Sequence, residues 1–338
     1  MSIGMLLIRA DASTAIGAGH VMRCLALAQA WQDAGGRAVF AMAESIPEVQ
    51  SRVRAEGFEL ACISGPVGTR LDSEQTANLA AKYSCGWIVL DGYRFGAEYQ
   101  AILKQTGRSI LLLDDFGQVG HYAADIILDQ NPFVPESVYK GIDARCALLL
   151  GSKYTMLRRE FTSWSGWRRA IPHVGQRILI SMGGTDPDNL TARALQNVAD
   201  SGINDLEVTV VAAKGHYDAL AMEASFRLLR DVTSMSDLMS RSDVAMIAAG
   251  GTLWESLFMG CAVLTYVRNS AQKTIIENLQ RAGAVVSLGL KHRANGAQLL
   301  HDIVYSQECR ERLSSKGREL IDGLGAKRVV SVLQGDSR

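Results

Sequence analysis

The residues best able to do chemistry sit on three glycine-bearing turns, each between an apolar run and an amphipathic stretch. The first reads Arg9-Ala-Asp11-Ala-Ser-Thr-Ala-Ile-Gly17-Ala-Gly19-His20 and opens into an apolar-periodic segment. Gly17 and Gly19 permit a tight turn and close approach of a ligand, and free N–H groups at a helix start favour negative charge. His20 is the sharper feature. The positive end of a helix favours a neutral imidazole, which suits a general base near neutral pH. A capping or space-filling histidine fits the same spacing, so both roles stand at this point. A dinucleotide fingerprint needs a third glycine three residues after Gly19, where this chain has Met22. Glu44 does follow the next apolar run, at the place of a ribose-binding acid, but the fingerprint is incomplete and no Walker A sequence is present.

The second turn, Ile178-Leu-Ile-Ser-Met-Gly183-Gly184-Thr185-Asp186-Pro187-Asp188-Asn189, sets two glycines directly after an apolar run. Such a backbone concavity can cradle phosphate. Asp188 or Asn189 is placed to cap the following helix, and Asp186-Pro187 marks a turn. The third, Val244-Ala-Met-Ile-Ala-Ala-Gly250-Gly251-Thr252-Leu-Trp-Glu255, repeats the glycine pair. Thr252 with Glu255 three residues later has capping-box spacing. The alternative puts a diphosphate on Gly250 to Thr252 and turns Glu255 toward ribose hydroxyls. Two glycine pairs in one half of the chain are a stronger signal than either alone. Asp91-Gly92-Tyr93 and Asp114-Asp115-Phe116-Gly117 also end apolar runs; turn formation and capping compete there with acid/base or metal roles. His121, His173, His216, His292 and His301 have no ligand spacing and are read as surface or packing residues, so no metal site is expected.

The elements that must position these turns alternate between short apolar runs and amphipathic segments, which predicts parallel sheets covered by helices. Strands are expected at Met5–Ala10, Ala38–Ala43, Trp87–Asp91, Ser109–Asp114 and Ile126–Leu128, with helices at His20–Ala34, Asp72–Tyr83 and Gly96–Gln105. Residues 161–176 carry no clean period, include Pro172, and read as an interdomain linker. The alternation then restarts, with strands at Arg177–Met182, Leu206–Ala212, Asp243–Ile247, Ala262–Tyr266 and Ala284–Leu288 and helices starting near Asn189, Met235, Thr252 and Thr274. Leu313–Leu333 reads as a helical tail able to pack on either half. The fold class is therefore α/β, two doubly wound Rossmann-like domains facing a cleft. Residues 1–165 are expected to form the first domain and 175–338, which carries both glycine pairs, the second, phosphate-binding one. Function is expected at the carboxyl ends of strands, in that cleft.

Bulk composition sets the outer limits. A chain of 338 residues exceeds what one core usually covers, and 48% hydrophobic with 21% charged residues is ordinary globular composition. Lys plus Arg equals Asp plus Glu at 35 each, so the strongly basic footprint of a nucleic-acid binder is missing. Six cysteines form no CxxC or CxH cluster, which points to reduced thiols in a cytoplasmic protein. No targeting segment and no bilayer-length apolar run is seen, so neither a membrane nor a nucleic-acid partner is expected.

With these turns in hand, the chain resembles a known family. RADAS-x-x-IGAGHVMRCLALA, LDDFG, ISMGGTDPDN and AAGGTLWESLFMG followed by QKTIIENLQRAGA are similar, in order from Arg9 to about Gly283, to the UDP-2,4-diacetamido-2,4,6-trideoxy-β-L-altropyranose hydrolases of pseudaminic acid biosynthesis. The resemblance implies the glycosyltransferase-B architecture, like that of the enzyme that adds GlcNAc to lipid I. It implies His20 as catalytic base and a uridine diphosphate site at Gly184, Gly251, Thr252 and the ribose-binding Glu255. Asn269 and the Gln272 to Asn278 segment fall where related enzymes contact sugar or diphosphate, and Tyr93 falls near an aromatic close to the sugar. The expected substrate-binding set is Asp11, Gly17, Gly19, Asp91, Tyr93 and Asp115 in the first half. In the second it is Gly183, Gly184, Asp186, Gly250, Gly251, Thr252, Glu255, Asn269, Gln272 and Asn278. The implied partner is a small-molecule UDP-sugar, with no cofactor, no metal and a monomeric chain. The implied reaction is inverting hydrolysis at the anomeric carbon. A UDP-sugar-dependent glycosyltransferase and a non-catalytic nucleotide-sugar sensor are the alternatives on the same scaffold.

Overall fold

The computed structural model describes residues 3–184, 186–212, 226–230, 232–290 and 295–335; His216 and His292 lie outside these. The chain divides into two compact units, Met1–Arg159 with Leu324–Arg338, and Glu160–Gly323.

Unit 1 runs β1 (Met5–Ala10), α1 (Gly19–Asp33), β2 (Arg37–Met42), α2 (Pro47–Ala55), β3 (Glu59–Cys62), α3 (Arg70–Lys82), β4 (Trp87–Asp91), α4 (Ala97–Lys104), β5 (Ser109–Leu113), β6 (Ile126–Asp129) and β7 (Ala147–Leu150). Its seven strands pair in the order β3-β2-β1-β4-β5-β6-β7, each pair parallel. A parallel sheet is buried on both faces, so its inner strands read as continuous apolar runs. Leu6, Ile8 and Ala10 join one core with α1, while Leu7 joins another with Tyr99 and Leu103 of α4. Arg9 breaks the apolar run. It is fully buried, forks onto Asp72 at 2.9 and 2.8 Å, pairs with Asp11 at 2.7 Å and lies 5.0 Å over the Phe95 ring.

Unit 2 follows the single-turn α5 (Arg159–Thr162) with β8 (Arg177–Ser181), α6 (Leu190–Asp200), β9 (Glu207–Val211), β10 (Phe226–Leu229), α7 (Met235–Arg241), β11 (Val244–Ala248), α8 (Gly251–Phe258), β12 (Ala262–Val267), α9 (Ser270–Arg281), β13 (Val286–Leu290), α10 (Gly296–Tyr305) and α11 (Gln307–Leu320). Strand order is β10-β9-β8-β11-β12-β13, again parallel throughout.

In each sheet the order reverses once beside the first strand, between β1 and β4 in unit 1 and between β8 and β11 in unit 2. At such a switch point the two flanking loops diverge to opposite faces and leave a crevice at the carboxyl ends of the strands. The loops there carry His20 and Asp91 in unit 1, and the two glycine pairs in unit 2.

Two expectations need correction. Residues 161–176 are not a free linker but part of unit 2. Arg169 donates to the carbonyls of Met239, Ser242 and Met259, and Arg310 to those of Pro172 and His173, which bolts the segment down. The helical tail is two helices, and only the first belongs to unit 2. Gly323, at φ +78°, breaks it, and α12 (Gly325–Gln334) packs in unit 1. A Cβ on Gly325 would stand 2.1 Å from the Thr155 carbonyl oxygen, so only glycine allows that approach. Unit 2 thus ends at Gly323, whereas the second domain was expected to span 175–338.

Candidate active site

The unit 1 site follows from strand adjacency. β1 and β4 are neighbours with Ala10 opposite Asp91, so the carboxylate ending β4 faces the first turn of α1. The loop between β1 and α1 closes through a Gly17 N–H to Ser13 carbonyl bond of 2.8 Å, with Gly17 at φ +74°, a conformation that suits glycine. Ala18 precedes α1 without a side-chain cap, and no protein atom lies within 4 Å of where a Cβ on Gly19 would stand. The helix start is therefore open.

His20 Nδ1 lies 2.6 Å from Asp91 Oδ1. An ionised carboxylate only accepts, so Nδ1 carries the proton and Nε2 keeps its lone pair. No hydrogen bond occupies Nε2 among the described residues. The Tyr93 ring stands edge-on at 5.0 Å. This is the arrangement of an oriented base: one ring nitrogen held by a buried carboxylate, the other presented for proton transfer.

Arg23, one turn along α1 from His20, completes the cluster. It gives Nε to Asp91 Oδ2 at 2.6 Å and Nη2 to Asp91 Oδ1 at 2.7 Å, then reaches Asp115 with Nη1 at 3.1 and 3.2 Å. Asp115 also accepts from Asn131 Nδ2 at 2.9 Å and from the Tyr93 hydroxyl at 3.3 Å. Burial alone pushes both carboxyls up, but the Arg23 charge outweighs it and holds Asp91 and Asp115 below the usual carboxylate range. Arg23, though inside the IGAGHVMRCLALA stretch, and Asn131 were not singled out from the sequence. Three-residue spacing from His20 on a helix was the one available clue to Arg23, since such pairs share a face.

Other expected residues lie apart from this cluster. Asp11 accepts from the Ala43 and Glu44 N–H groups at 2.8 and 2.9 Å and pairs with Arg9, so its carboxylate ties the end of β2 rather than facing His20. Asp114 accepts from its neighbour's N–H and from the Tyr122 hydroxyl.

In unit 2, three helices start at the carboxyl edge with different occupants. Asp186 takes the Leu190 and Thr191 N–H groups on its two oxygens, both at 2.8 Å, and so fills the start of α6, the role expected of Asp188 or Asn189. Asn269 caps α9 through the Gln272 N–H at 3.0 Å. The start of α8 holds no side-chain cap and no acid in its first turn. Gly250 is its N-cap, which puts Thr252 two residues inward and removes the capping box expected of Thr252 and Glu255. A Cβ on Gly184, Gly250 or Gly251 would meet no protein atom within 4 Å, whereas Gly183 sits at φ +86° and needs glycine for its backbone. An uncapped helix start with open space over two glycines can take an anion.

Two side chains beyond β12, Arg268 on the loop and Gln272 in the first turn of α9, brace both glycine turns. Gln272 Nε2 donates to the Ala249 carbonyl at 2.5 Å and its Oε1 accepts from the Arg268 N–H. Arg268 Nη2 donates to the Met182 carbonyl at 2.6 Å. Gln272 therefore acts on backbone beside the glycines, and Arg268 is the partner that motif reading passed over. Asn278 lies six positions beyond Gln272 on α9, about 240° around the helix, and is not brought to the same face. Gly251→Val is expected to keep the thermal midpoint, because its space is open and valine is the better helix former, yet to weaken UDP binding more than about tenfold, ~1.4 kcal/mol. Calorimetric titration with UDP checks this.

Among the described residues, no helix is long and apolar enough to cross a membrane, and no group of three or more His, Cys, Asp or Glu side chains could hold a metal ion.

No protein-family profile matches the chain. It is 25% identical over 272 residues to the UDP-2,4-diacetamido-2,4,6-trideoxy-β-L-altropyranose hydrolase of Campylobacter jejuni, covering 78% of this chain and 92% of that protein. It is 22% identical over 278 residues to an uncharacterized protein of Methanocaldococcus jannaschii, again 78% of this chain but 55% of that one, so it spans about half that relative's length. Among solved structures it is similar to MurG of Acinetobacter baumannii, with a TM-score of 0.65, 14% identity, and 98% and 99% of the two chains covered. Two parallel sheets clothed in helices, similar to that structure over nearly the whole chain, are the glycosyltransferase-B fold. Over 78% of its length the chain is thus similar to the UDP-2,4-diacetamido-2,4,6-trideoxy-β-L-altropyranose hydrolase of Campylobacter jejuni, and it has the glycosyltransferase-B fold.

Proposed function

We propose that the chain hydrolyses a UDP-sugar at the anomeric carbon, with inversion, releasing UDP and the free sugar. UDP-2,4-diacetamido-2,4,6-trideoxy-β-L-altropyranose is the substrate proposed, after the Campylobacter relative. The single observation that carries the reading is the His20–Asp91 pair, which leaves Nε2 unengaged with Nδ1 held at 2.6 Å. His20 removes a proton from water as the water attacks C1, in the manner of the base of an inverting glycosidase. The departing diphosphate is assigned to the open start of α8, whose free N–H groups stabilise its charge. A nucleoside diphosphate is already a good leaving group, so no separate general acid is assigned. Glu255 is assigned to the ribose hydroxyls and Tyr93 to the sugar.

One observation favours a transferase as second reading. Ile16, Tyr93 and Phe133, on loops at the carboxyl edge of the unit 1 sheet, are 48%, 53% and 51% exposed, an apolar rim of the kind an acceptor needs. Incubation with the UDP-sugar alone separates the two. Hydrolysis is expected to release one UDP per free sugar with no acceptor added. Turnover that appears only when an acceptor is supplied would make His20 the base for a hydroxyl instead of water.

A further inference from the structure

The His20 cluster holds one guanidinium against two carboxylates. While the imidazole is neutral, His20, Arg23, Asp91 and Asp115 together carry one negative charge, and a proton on His20 cancels it. We propose that Arg23 and Asp115 are opposed positioning residues that set the proton affinity of His20: Asp115 draws off part of the Arg23 charge, which leaves Asp91 free to hold the imidazolium formed when water is deprotonated. Without Asp115, the Arg23 fork would quench Asp91 entirely. Without Arg23, two carboxylates would hold a proton on His20 before any water reached it. This inference rests on His20 acting as the base.

Every charged or titratable group facing His20 fits that division. Asp91 comes from β4, Tyr93 from the turn after it, Arg23 and Cys24 from α1, and Asp115 from the loop after β5. Asp91 and Asp115 are held ionised, burial keeps the Cys24 thiol protonated, partial burial beside Asp115 does so for the Tyr93 hydroxyl, and Arg23 stays charged. Asp129 stands behind Asn131, at 2.8 Å from its amide, where burial pushes its carboxyl up.

The test is the pH profile of kcat/KM for UDP release from UDP-2,4-diacetamido-2,4,6-trideoxy-β-L-altropyranose, in the full chain. Asp115→Asn removes a negative charge, disfavours the imidazolium and is expected to move the acid limb down by on the order of one pH unit. Arg23→Gln removes a positive charge and is expected to move it up by a similar amount, so lost activity at neutral pH returns in alkaline buffer. Arg23→Lys keeps the charge and is expected to keep the limb while lowering the plateau. Either neutral variant is sufficient alone, should the other fail to fold. Limbs that stay put, or move together, would overturn the proposal and leave Arg23 and Asp115 as scaffolding. His20→Asn with an unchanged rate and limb would instead overturn the base reading itself.

Discussion

Replacing His20 with asparagine is expected to lower turnover of the UDP-sugar by about 10²- to 10⁴-fold while leaving UDP affinity as it is. The asparagine amide can stand where Nδ1 stands and still donate to Asp91, so the buried carboxylate keeps a partner and the cluster keeps its shape. Nothing then occupies the position of Nε2, and water loses its base. UDP affinity is the internal control, because the open helix start and both glycine pairs belong to unit 2 while His20 belongs to unit 1. A capping or packing histidine behaves in the opposite way: its loss lowers the thermal midpoint and spares the rate per folded molecule. Calorimetry with UDP beside a rate assay reads both quantities on one preparation.

Asp91→Asn is expected to cost as much, on the order of 10³- to 10⁴-fold in kcat, through the tautomer. An asparagine amide presented to Nδ1 takes the donor role, Nδ1 becomes the acceptor, and the ring proton moves to Nε2, where the base must have a lone pair. Folding loses less. Asp115 keeps Arg23 paired, so the cost stays below the ~3–5 kcal/mol of a fully orphaned buried charge. The same carboxylates contribute to the acid stability of unit 1. Both are held below their unfolded values, so their contribution is full above about pH 4 and is lost as pH falls through the folded values. Circular dichroism against pH is expected to show Asp91→Asn with a shallower acid transition than wild type.

The parts of the fold legible in sequence were those buried on both faces. β1, β4, β5, β8, β11 and β12 are each built on an apolar run of three or more residues, and Leu6, Leu7 and Ile8 are wholly enclosed. The three strands that were not anticipated, β3, β7 and β10, are all at sheet edges. Edge strands lack a neighbour on one side and can expose polar groups: in β3, Glu59 and Cys62 are exposed and only the middle pair is partly buried. The tail misled for another reason. Its period continues across Gly323, and only the left-handed turn there and the tight seat of Gly325 on Thr155 show that it splits between units.

The candidate site divided along a similar line. His20 and the glycine pairs were legible because a strand, a turn and a helix start leave a local signature. Asp91 and Asp115 were visible as acids at strand ends, but their partner was not, since the Arg23–Asp91 and Arg23–Asp115 pairs join residues 68 and 92 positions apart. Local spacing also gave no sign of which side chains serve the backbone. Asp11 ties the end of β2, Asp186 caps α6, and Asn269 caps α9. Each is polar, beside a glycine turn or strand end, and already committed to N–H groups. The turns themselves stand at the switch point of each sheet, which is a property of strand order rather than of any segment.

Turnover of UDP-2,4-diacetamido-2,4,6-trideoxy-β-L-altropyranose in ¹⁸O-labelled water, followed by mass spectrometry of both products, tests the central claim most directly. Attack of a His20-activated water on the anomeric carbon predicts one labelled oxygen on the free sugar and none on UDP. Label on the β-phosphate of UDP with an unlabelled sugar would mean cleavage of the phosphorus–oxygen bond, and would contradict the account.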